Sequence, residues 1–449
     1  MSDLLTIGIS GLSAYRNALD AVGENVTNSQ SPGFTRRRVA LEQVQITSRS
    51  DIAYGEQVLF NGVRTAGVIR AWDDFKATEA RYAATGAARA AVREQWLSSV
   101  ENALGDGVAG VGSSLTQFYN AANRLAADPT APLGRTEMIT ALDSIAGALR
   151  NSAGALARIS ASIGDAADGD VIAVNGAIAA LQDLNGATRA AARGGSAGAS
   201  LADERDRLIE TIAERIDIEV TINGDGTATL KSASDSNVVL LDGDRTGLLS
   251  TVRAADGRVT LQLSANGTTM PAPVSGGRLA GLVEIAASVA DRRQALDALA
   301  TDVATTLNNW SAAGLDANGA AGGNLLDASG GAAGIQVTIT DSDRIAAATA
   351  DGRPNGNLID LEAVRAASKL EESWGTIVSG NARMLATAKA EAAAASAWRD
   401  LSRAALDEVT GVDLDREAAD LLRFQQAYNA SARIIQVARE TIDALFAAL

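Results

Sequence analysis

The chain contains no cysteine and no histidine. Without them there is no thiolate or imidazole to attack a carbonyl, to take a proton from a serine, or to hold zinc. Ser-His-Asp and Cys-His catalysis and His- or Cys-ligated metal sites are therefore excluded. A chain without cysteine tolerates oxidising and reducing surroundings alike, so no redox compartment can be read from it. Aromatic residues are scarce, at 4% of 449 residues, while 47% of residues are hydrophobic and 21% charged. That balance is ordinary for a folded protein, and the length allows two or three domains with their own cores. Ala and Gly are abundant. Small side chains let helices approach closely but bury little apolar area per contact, which predicts elongated, helix-rich packing. Long apolar runs are missing as well: no stretch reaches the roughly 18 residues that a membrane span requires. The opening MSDLLTIGISGLSAYRNALD lacks a basic leader, and Thr6, Gly8, Ser10 and Ser13 interrupt its apolar residues. It does not read as a secretory signal, and by itself points to the cytoplasm. Positive charge is in deficit: the formal net charge of −15 repels phosphate, so no nucleic-acid partner is expected. The dense basic run Arg36-Arg37-Arg38 reads as a solvated face.

What is present is periodicity. Leu5, Ile9, Leu12, Tyr15, Leu19, Val22 and Val26 recur at steps of three or four, one stripe of an amphipathic helix. The stripe stops at Asn28-Ser29-Gln30-Ser31-Pro32-Gly33, a run of turn formers. From Val39 to Val68 the apolar step drops to two, with a slip at Glu42-Gln43, which predicts extended structure with a bulge. Residues 72 to 160 read as helical with breaks near 105–112 and at Asp128-Pro129, followed by helices at 170–184 and 201–216. Alternation returns in residues 217–275, where Ile218, Val220 and Ile222 precede a turn at Asn223-Gly224-Asp225-Gly226. Helix resumes from Leu279 to Trp310. A loop (311–334) and a short strand (335–339) separate it from two further helices that run to about 410.

The last helix begins after Gly411 and is expected to reach the final residue. Leu414, Ala418, Leu421, Gln425, Tyr428, Ala432, Ile435, Arg439, Ile442, Phe446 and Leu449 alternate steps of four and three. That is a heptad seam with two strongly polar members, on a helix about 55 Å long at 1.5 Å per residue. A seam this long at a chain end wants a partner, and the first helix is the obvious candidate. Each buried Leu or Ile contributes roughly 1.5–3 kcal/mol, against an ordering cost of about 1–2 kcal/mol per residue. The paired ends are thus expected to be marginal in a monomer and to settle when neighbours cover them. Packing of both helices onto the main body would satisfy the same periodicity.

Several motifs imitate chemistry. Gly105-Asp106-Gly107-Val108-Ala109-Gly110 spells G-x-G-x-x-G, but a helical segment precedes it where a dinucleotide fold needs a strand. Asn223-Gly224-Asp225-Gly226 lacks the downstream Glu and the ligand spacing of a calcium loop. Asp242 and Asp244 flank a plain turn, and the pairs Glu371-Glu372 and Asp341/Asp343 read as solvent-facing acids in an acidic chain, although a hydrolase uses paired carboxylates. No catalytic residue, cofactor or metal is expected.

Two segments carry a resemblance. Ser10-Gly11-Leu12-Ser13-Ala14, Asn25-Val26-Thr27-Asn28 and Pro32-Gly33-Phe34-Thr35-Arg36 resemble the N-terminal signature of flagellar rod, hook and hook-associated axial proteins. At the other end, Gly411-Val412-Asp413-Leu414-Asp415, Phe424-Gln425-Gln426-Ala427-Tyr428 and Ala432-Arg433-Ile434-Ile435 resemble the hook-associated protein 1 family, with Gln426 where hook and rod proteins carry Arg. Leu201–Ile216 and Gly276–Leu282 are similar to internal segments of that family. A hook or distal-rod protein is the nearest alternative. A secreted adhesin is a weaker one, since residues 217–275 contain no Trp, Tyr or Phe to stack on a sugar.

The resemblance implies a structural, non-enzymatic protein exported to the flagellum without a cleaved signal peptide. It would assemble with itself as a ring between the flagellar hook protein and hook-associated protein 3, and an export chaperone would dock on the C-terminal helix. Membrane insertion is not implied. The implied fold is mainly α with a smaller β part, in three parts. Residues 1–70 and 405–449 form a terminal coiled coil with its extended segment, 71–216 and 276–404 a helix-rich body, and 217–275 an inserted β domain. The implied interface residues are Leu5, Ile9, Leu12, Leu19 and Val22, facing Leu414, Leu421, Gln425, Tyr428, Ile435 and Ile442 or an adjacent subunit. Gln425 would fix the register, and Asn25, Asn28 and Gly33 read as cap and turn residues.

Overall fold

The structure, a computed structural model, describes residues 2–47, 58–105, 107–191 and 196–447. Asp106 of the glycine-rich motif and Leu449 of the expected seam lie outside the described residues. The chain opens with α1 (Ser2–Asn28), turns at Gly33 with φ +76°, and enters the antiparallel hairpin β1 (Arg37–Thr47) and β2 (Val58–Arg70). Register shifts between Ala40 and Leu41 and between Gln43 and Gln45 bracket the expected slip. Asp73 then starts α2 (Asp74–Ala103) by accepting the backbone N–H groups of Phe75 and Lys76, which the first turn leaves without helical partners.

Helices α3 (Val111–Ala127), α4 (Pro132–Ala190) and α5 (Ser196–Ala213) follow. Pro132 opens α4 at a position that needs no N–H donor. The sequence predicts a break between 160 and 170, but α4 is continuous and about 90 Å long. Gly164 and Gly169 each cost the helix about 1 kcal/mol. Ile163, Ala167, Val171 and Val174 around them are buried in the core, and that packing outweighs local propensity.

Residues 217–275 form two antiparallel sheets. The first orders β3 (Ile218–Ile222), β4 (Ala228–Ser232), β5 (Val239–Asp242) and β6 (Arg245–Thr246); the second orders β7 (Leu248–Arg253), β8 (Val259–Ala265) and β9 (Thr268–Pro271). Helix α6 (Gly277–Ala313) returns along α2 and α4. A short pair, β10 (Leu326–Asp327) and β11 (Gln336–Val337), flanks the one-turn α7 (Gly331–Gly334). Then come α8 (Gly356–Ser368), α9 (Leu370–Thr410) and α10 (Leu414–Ala447).

One apolar core runs through this body. It joins Leu97 of α2, Phe118 of α3, Leu142 and Leu149 of α4 and Leu299 of α6, and continues into the sheets at Leu230, Leu240 and Leu261. Phe118 and Trp310 meet edge-to-face at 6.3 Å, and Ala fills the closer approaches. The architecture is thus mainly α with a smaller β part, and α1 and α10 pair as a separate stalk. Gly411 makes the corner into the stalk: a Cβ there would sit 2.5 Å from the Asp407 carbonyl oxygen. Asp413 then caps α10, accepting from the backbone N–H groups of Asp415 at 3.0 Å and Arg416 at 3.3 Å.

Candidate assembly interface

α1 and α10 pack antiparallel, so that Gly8 lies beside Ile435, Gly11 beside Ser431, Tyr15 beside Phe424 and Asn25 beside Glu417. On α1 the residues that meet α10 include Gly8, Gly11, Tyr15 and Asn25, and Ala18 and Val22 are buried at the intervening steps of three and four. The buried row on α10 is Glu417, Ser431 and Ala438, with Phe424 half-buried at the same seven-residue spacing. The helices come so close at Gly8 that an added Cβ would lie 2.6 Å from Ile435 Cγ1 and 3.4 Å from backbone atoms of α10. Small residues stand at Gly8, Gly11 and Ser431 because they alone allow that approach, while the Tyr15 and Phe424 rings meet at 6.5 Å further along.

The sequence-predicted stripe is therefore rotated relative to the observed contact. Val22 is buried, and Leu5, Leu12, Leu19, Leu421, Ile435 and Ile442 are half-buried along its flanks. Ile9, Leu414, Gln425 and Tyr428 are exposed. Gln425 and Arg439 point away from α1, so Gln425 does not set the register inside the chain. A heptad count built on large apolar residues follows the outer face here. Leu4, Ile9, Val26, Leu414, Leu422, Tyr428, Val437 and Phe446 all stay exposed, Phe446 at 74%.

Register is set by a polar clamp where the stalk meets the body. Asn25, 0% exposed, donates through Nδ2 to the Arg37 carbonyl at 2.8 Å and accepts the Arg37 N–H at 2.8 Å, replacing a missing strand partner. The same Nδ2 donates to Glu417 Oε2 at 2.9 Å. Glu417, also 0% exposed, receives Arg36 Nε at 2.6 Å, and Arg36 Nη2 reaches Asp420 at 3.1 Å. Arg37 donates to Glu24 at 2.8 Å and to Asp203 of α5 at 3.1 Å. Arg70 joins Asp203 at 2.8 Å and Asp206 at 2.7 Å, and Thr35 donates to Asp203 at 2.6 Å. The Arg36 N–H donates to the Thr410 carbonyl at 2.8 Å. Glu417, Arg37, Asp203, Arg70 and Asp206 lie largely out of water, where paired hydrogen-bonded ions hold geometry tightly and a lone one is costly.

The solvated reading of Arg36-Arg37-Arg38 therefore holds for Arg38 alone, since Arg36 and Arg37 bridge α1, α5 and α10. Asn25 lies inside α1 as a contact, not in a turn; Gly33 does make the turn. The clamp acids left one trace in the sequence: Asp203 and Asp206 stand three apart, on one face of a helix. The pairs weighed as catalytic have structural partners instead. Glu371 binds Arg365 at 2.7 Å, and Asp341 accepts the Asp343 N–H at 2.9 Å in a short 3-10 turn. The Gly105–Gly110 stretch connects helix to helix. Among the described residues no helix is long and apolar enough to cross a membrane.

Comparison with known proteins agrees with this architecture. The family model described as flagellar hook-associated protein FlgK helical domain matches residues 97–326, and that of the flagellar basal body rod FlgEFG protein C-terminal matches residues 404–447. Flagellar hook-associated protein 1 of Escherichia coli (strain K12) is 23% identical over 99% of this chain and 99% of its own length. That of Bacillus subtilis (strain 168) is 24% identical over 96% of this chain and 95% of its own. The solved structure of the flagellar hook junction protein FlgK from Burkholderia pseudomallei overlays with a TM-score of 0.50 at 21% identity, covering 55% of this chain and 46% of that one. That overlay shows a shared fold over less than half of that chain. Paired chain ends beneath a helix-rich body, read with these matches, define a structural protein of the flagellar axis. Within that class, the chain belongs to the FlgK family of flagellar hook-associated proteins.

Proposed function

We propose that this chain forms the junction between hook and filament of the bacterial flagellum and works by self-assembly, not by turnover. The observation that carries the proposal is the stalk: beyond its paired seam it leaves Leu4, Ile9, Val26, Leu414, Leu422, Tyr428, Val437 and Phe446 exposed. Exposed apolar rows on a paired, rod-like element are surfaces awaiting a partner, and the partner is taken to be the stalk of the adjacent subunit. The match of residues 97–326 to the hook-associated helical domain supports the junction over a hook or distal-rod position.

In this reading the chain is exported without a cleaved signal peptide, forms a ring outside the cell, and contacts the hook protein on one side and hook-associated protein 3 on the other. The export chaperone takes the outward face of α10 before assembly, a helix-in-groove contact. Residues 1–70 with 405–449 act as the terminal domain, 71–216 with 276–404 as the body, and 217–275 as an inserted β part that shares the body's core. Ile9, Leu414 and Tyr428 meet a neighbour, with Gln425 at the rim. Leu5, Leu12, Leu19, Val22, Leu421, Ile435 and Ile442 buttress the seam and its edges.

Hydrogen exchange on the purified monomer and on hook-bound protein tests this. Fast exchange in residues 2–28 and 414–447 that slows on assembly is the expected result. Full protection already present in the monomer would mean that one chain satisfies the stalk, and assembly through it would be wrong.

A further inference from the structure

α9 packs against α6 where Gly380 and Met384, one helical turn apart, both face Arg292. The guanidinium lies over Gly380, where an added Cβ would sit 3.3 Å from Nη2, and the same Nη2 donates to the Met384 sulfur at 3.2 Å. Arg292 is half-buried, and its Nε–H is buried with no acceptor. Among the described residues it pairs with no carboxylate. A guanidinium cannot shed its proton, and a charge drawn out of water ordinarily finds an oxygen partner. The acceptor here is a thioether, which accepts only weakly.

Neighbouring acids are committed elsewhere. Glu284, about two turns before Arg292 on α6, is held by Arg89 at 2.6 Å and by Arg93 at 3.2 Å. Glu391, about two turns beyond Met384 on α9, also pairs with Arg93. Asp291 is held by Arg258 at 2.5 Å. Ser288, one turn before Arg292, brings its hydroxyl to 4.0 Å from the Met384 sulfur. The sulfur thus stands between two donors, one of them a charged group short of an acceptor. The other described methionines are placed differently. Met138 is 0% exposed among apolar side chains of the core. Met270 is half-buried in β9, and no donor reaches its sulfur among the described residues.

We propose that Met384 is an oxidation site whose sulfoxide is held by Arg292, so that a peroxide fastens α9 to α6. A sulfur lone pair attacks one oxygen of hydrogen peroxide, and the O–O bond breaks. The departing hydroxide takes the proton of the transferred OH group and leaves as water. The thioether and H2O2 thus give the sulfoxide and H2O: the sulfur loses two electrons and the peroxide gains them. The sulfur has two lone pairs, and the contact to Nη2 leaves one for the attack. A sulfoxide ordinarily disrupts a core, because it places a polar group among apolar ones. At Met384 it converts a weak acceptor into a strong one beside a guanidinium that lacks one. The unbranched side chain is flexible enough to turn the new oxygen toward Arg292 or Ser288. The inference stands on the contact of α6 with α9 alone and holds whichever part of the flagellum the chain builds.

The test uses the full chain carrying Met270→Leu, which removes the other half-buried methionine. The folded protein is treated with hydrogen peroxide, and oxidation is read methionine by methionine by peptide mass spectrometry. Met384 should react well before Met138, and amide exchange in residues 377–391 should afterwards be unchanged or slower. The same oxidation in an Arg292→Leu chain should hasten exchange there roughly tenfold, the worth of one hydrogen bond to a charged group. Met384→Gln, whose amide oxygen stands in for the sulfoxide, repeats the comparison without an oxidant. It should be tolerated beside Arg292 and should loosen the Arg292→Leu chain by the same factor. Equal loosening with and without Arg292, by oxidation or by Met384→Gln, would overturn the proposal. So would a Met384 that reacts no faster than Met138 in the folded chain.

Discussion

Replacing glycine by alanine inside a helix ordinarily stabilises it by about 1 kcal/mol, and α1 offers two sites where the structure demands opposite signs. A Cβ on Gly23 meets nothing within 4 Å, so Gly23→Ala should follow intrinsic propensity. A Cβ on Gly8 lands 2.6 Å from Ile435 Cγ1 and 3.4 Å from the Ile435 N and Ser431 O backbone atoms. Relieving that clash means displacing the β-branched Ile435 side chain, and overpacking of this sort costs about 1–3 kcal/mol. The propensity gain offsets part of it, which leaves Gly8→Ala neutral to about 2 kcal/mol destabilising. The assay is hydrogen exchange across residues 2–28 and 414–447 in the monomer, where about 1 kcal/mol changes the opening equilibrium roughly fivefold. Gly23→Ala should slow exchange by up to about that factor. Gly8→Ala should hasten it in both helices, and its cost should vanish in an Ile435→Ala background, where the clashing atom is gone. If Gly8→Ala protects the stalk as well as Gly23→Ala does, α1 and α10 do not meet along this face and the seam described here is wrong.

Other consequences follow from the clamp and the body. Glu417→Gln should destabilise the chain by roughly 2–4 kcal/mol in urea unfolding, because Arg36 loses its buried counter-charge. An effect under about 0.5 kcal/mol would mean that water reaches the site. Asn25→Ala leaves the Arg37 N–H and C=O unpaired, at a cost of about 1–3 kcal/mol, and should raise exchange at Arg37 first. Glu371 has its pKa lowered, chiefly by hydrogen bonding to Arg365. A depressed folded value stabilises the protein above the unfolded carboxyl pKa of about 4.3 and is lost as pH falls through the folded value. Glu371→Gln should therefore cost up to about 1 kcal/mol at pH 7, since the pair is partly solvated, and progressively less in acid. The same cost at both pH values would show that the ion pair contributes nothing.

Much of this protein is settled by short-range chemistry and is legible along the chain. The turn at Pro32-Gly33, the switch to alternation at Ile218, and the corner at Gly411 each depend on residues within a few positions of one another. The long end helices and the β insertion are legible for that reason, and so is the absence of histidine and cysteine chemistry. What the sequence left open is which face of α10 meets α1. Apolar residues stand all round α10, at Leu414, Leu422, Phe424, Tyr428, Ile435, Val437 and Phe446, so hydrophobicity does not choose among them. The choice falls to the close backbone approach at Gly8 and Gly11, which admits Ser431 and leaves Leu414, Leu422, Tyr428, Val437 and Phe446 exposed. Asn25 and Glu417 are 392 residues apart in the chain, and no local pattern links them. Each buried polar group is tolerable because of the other, and only the folded chain brings them together.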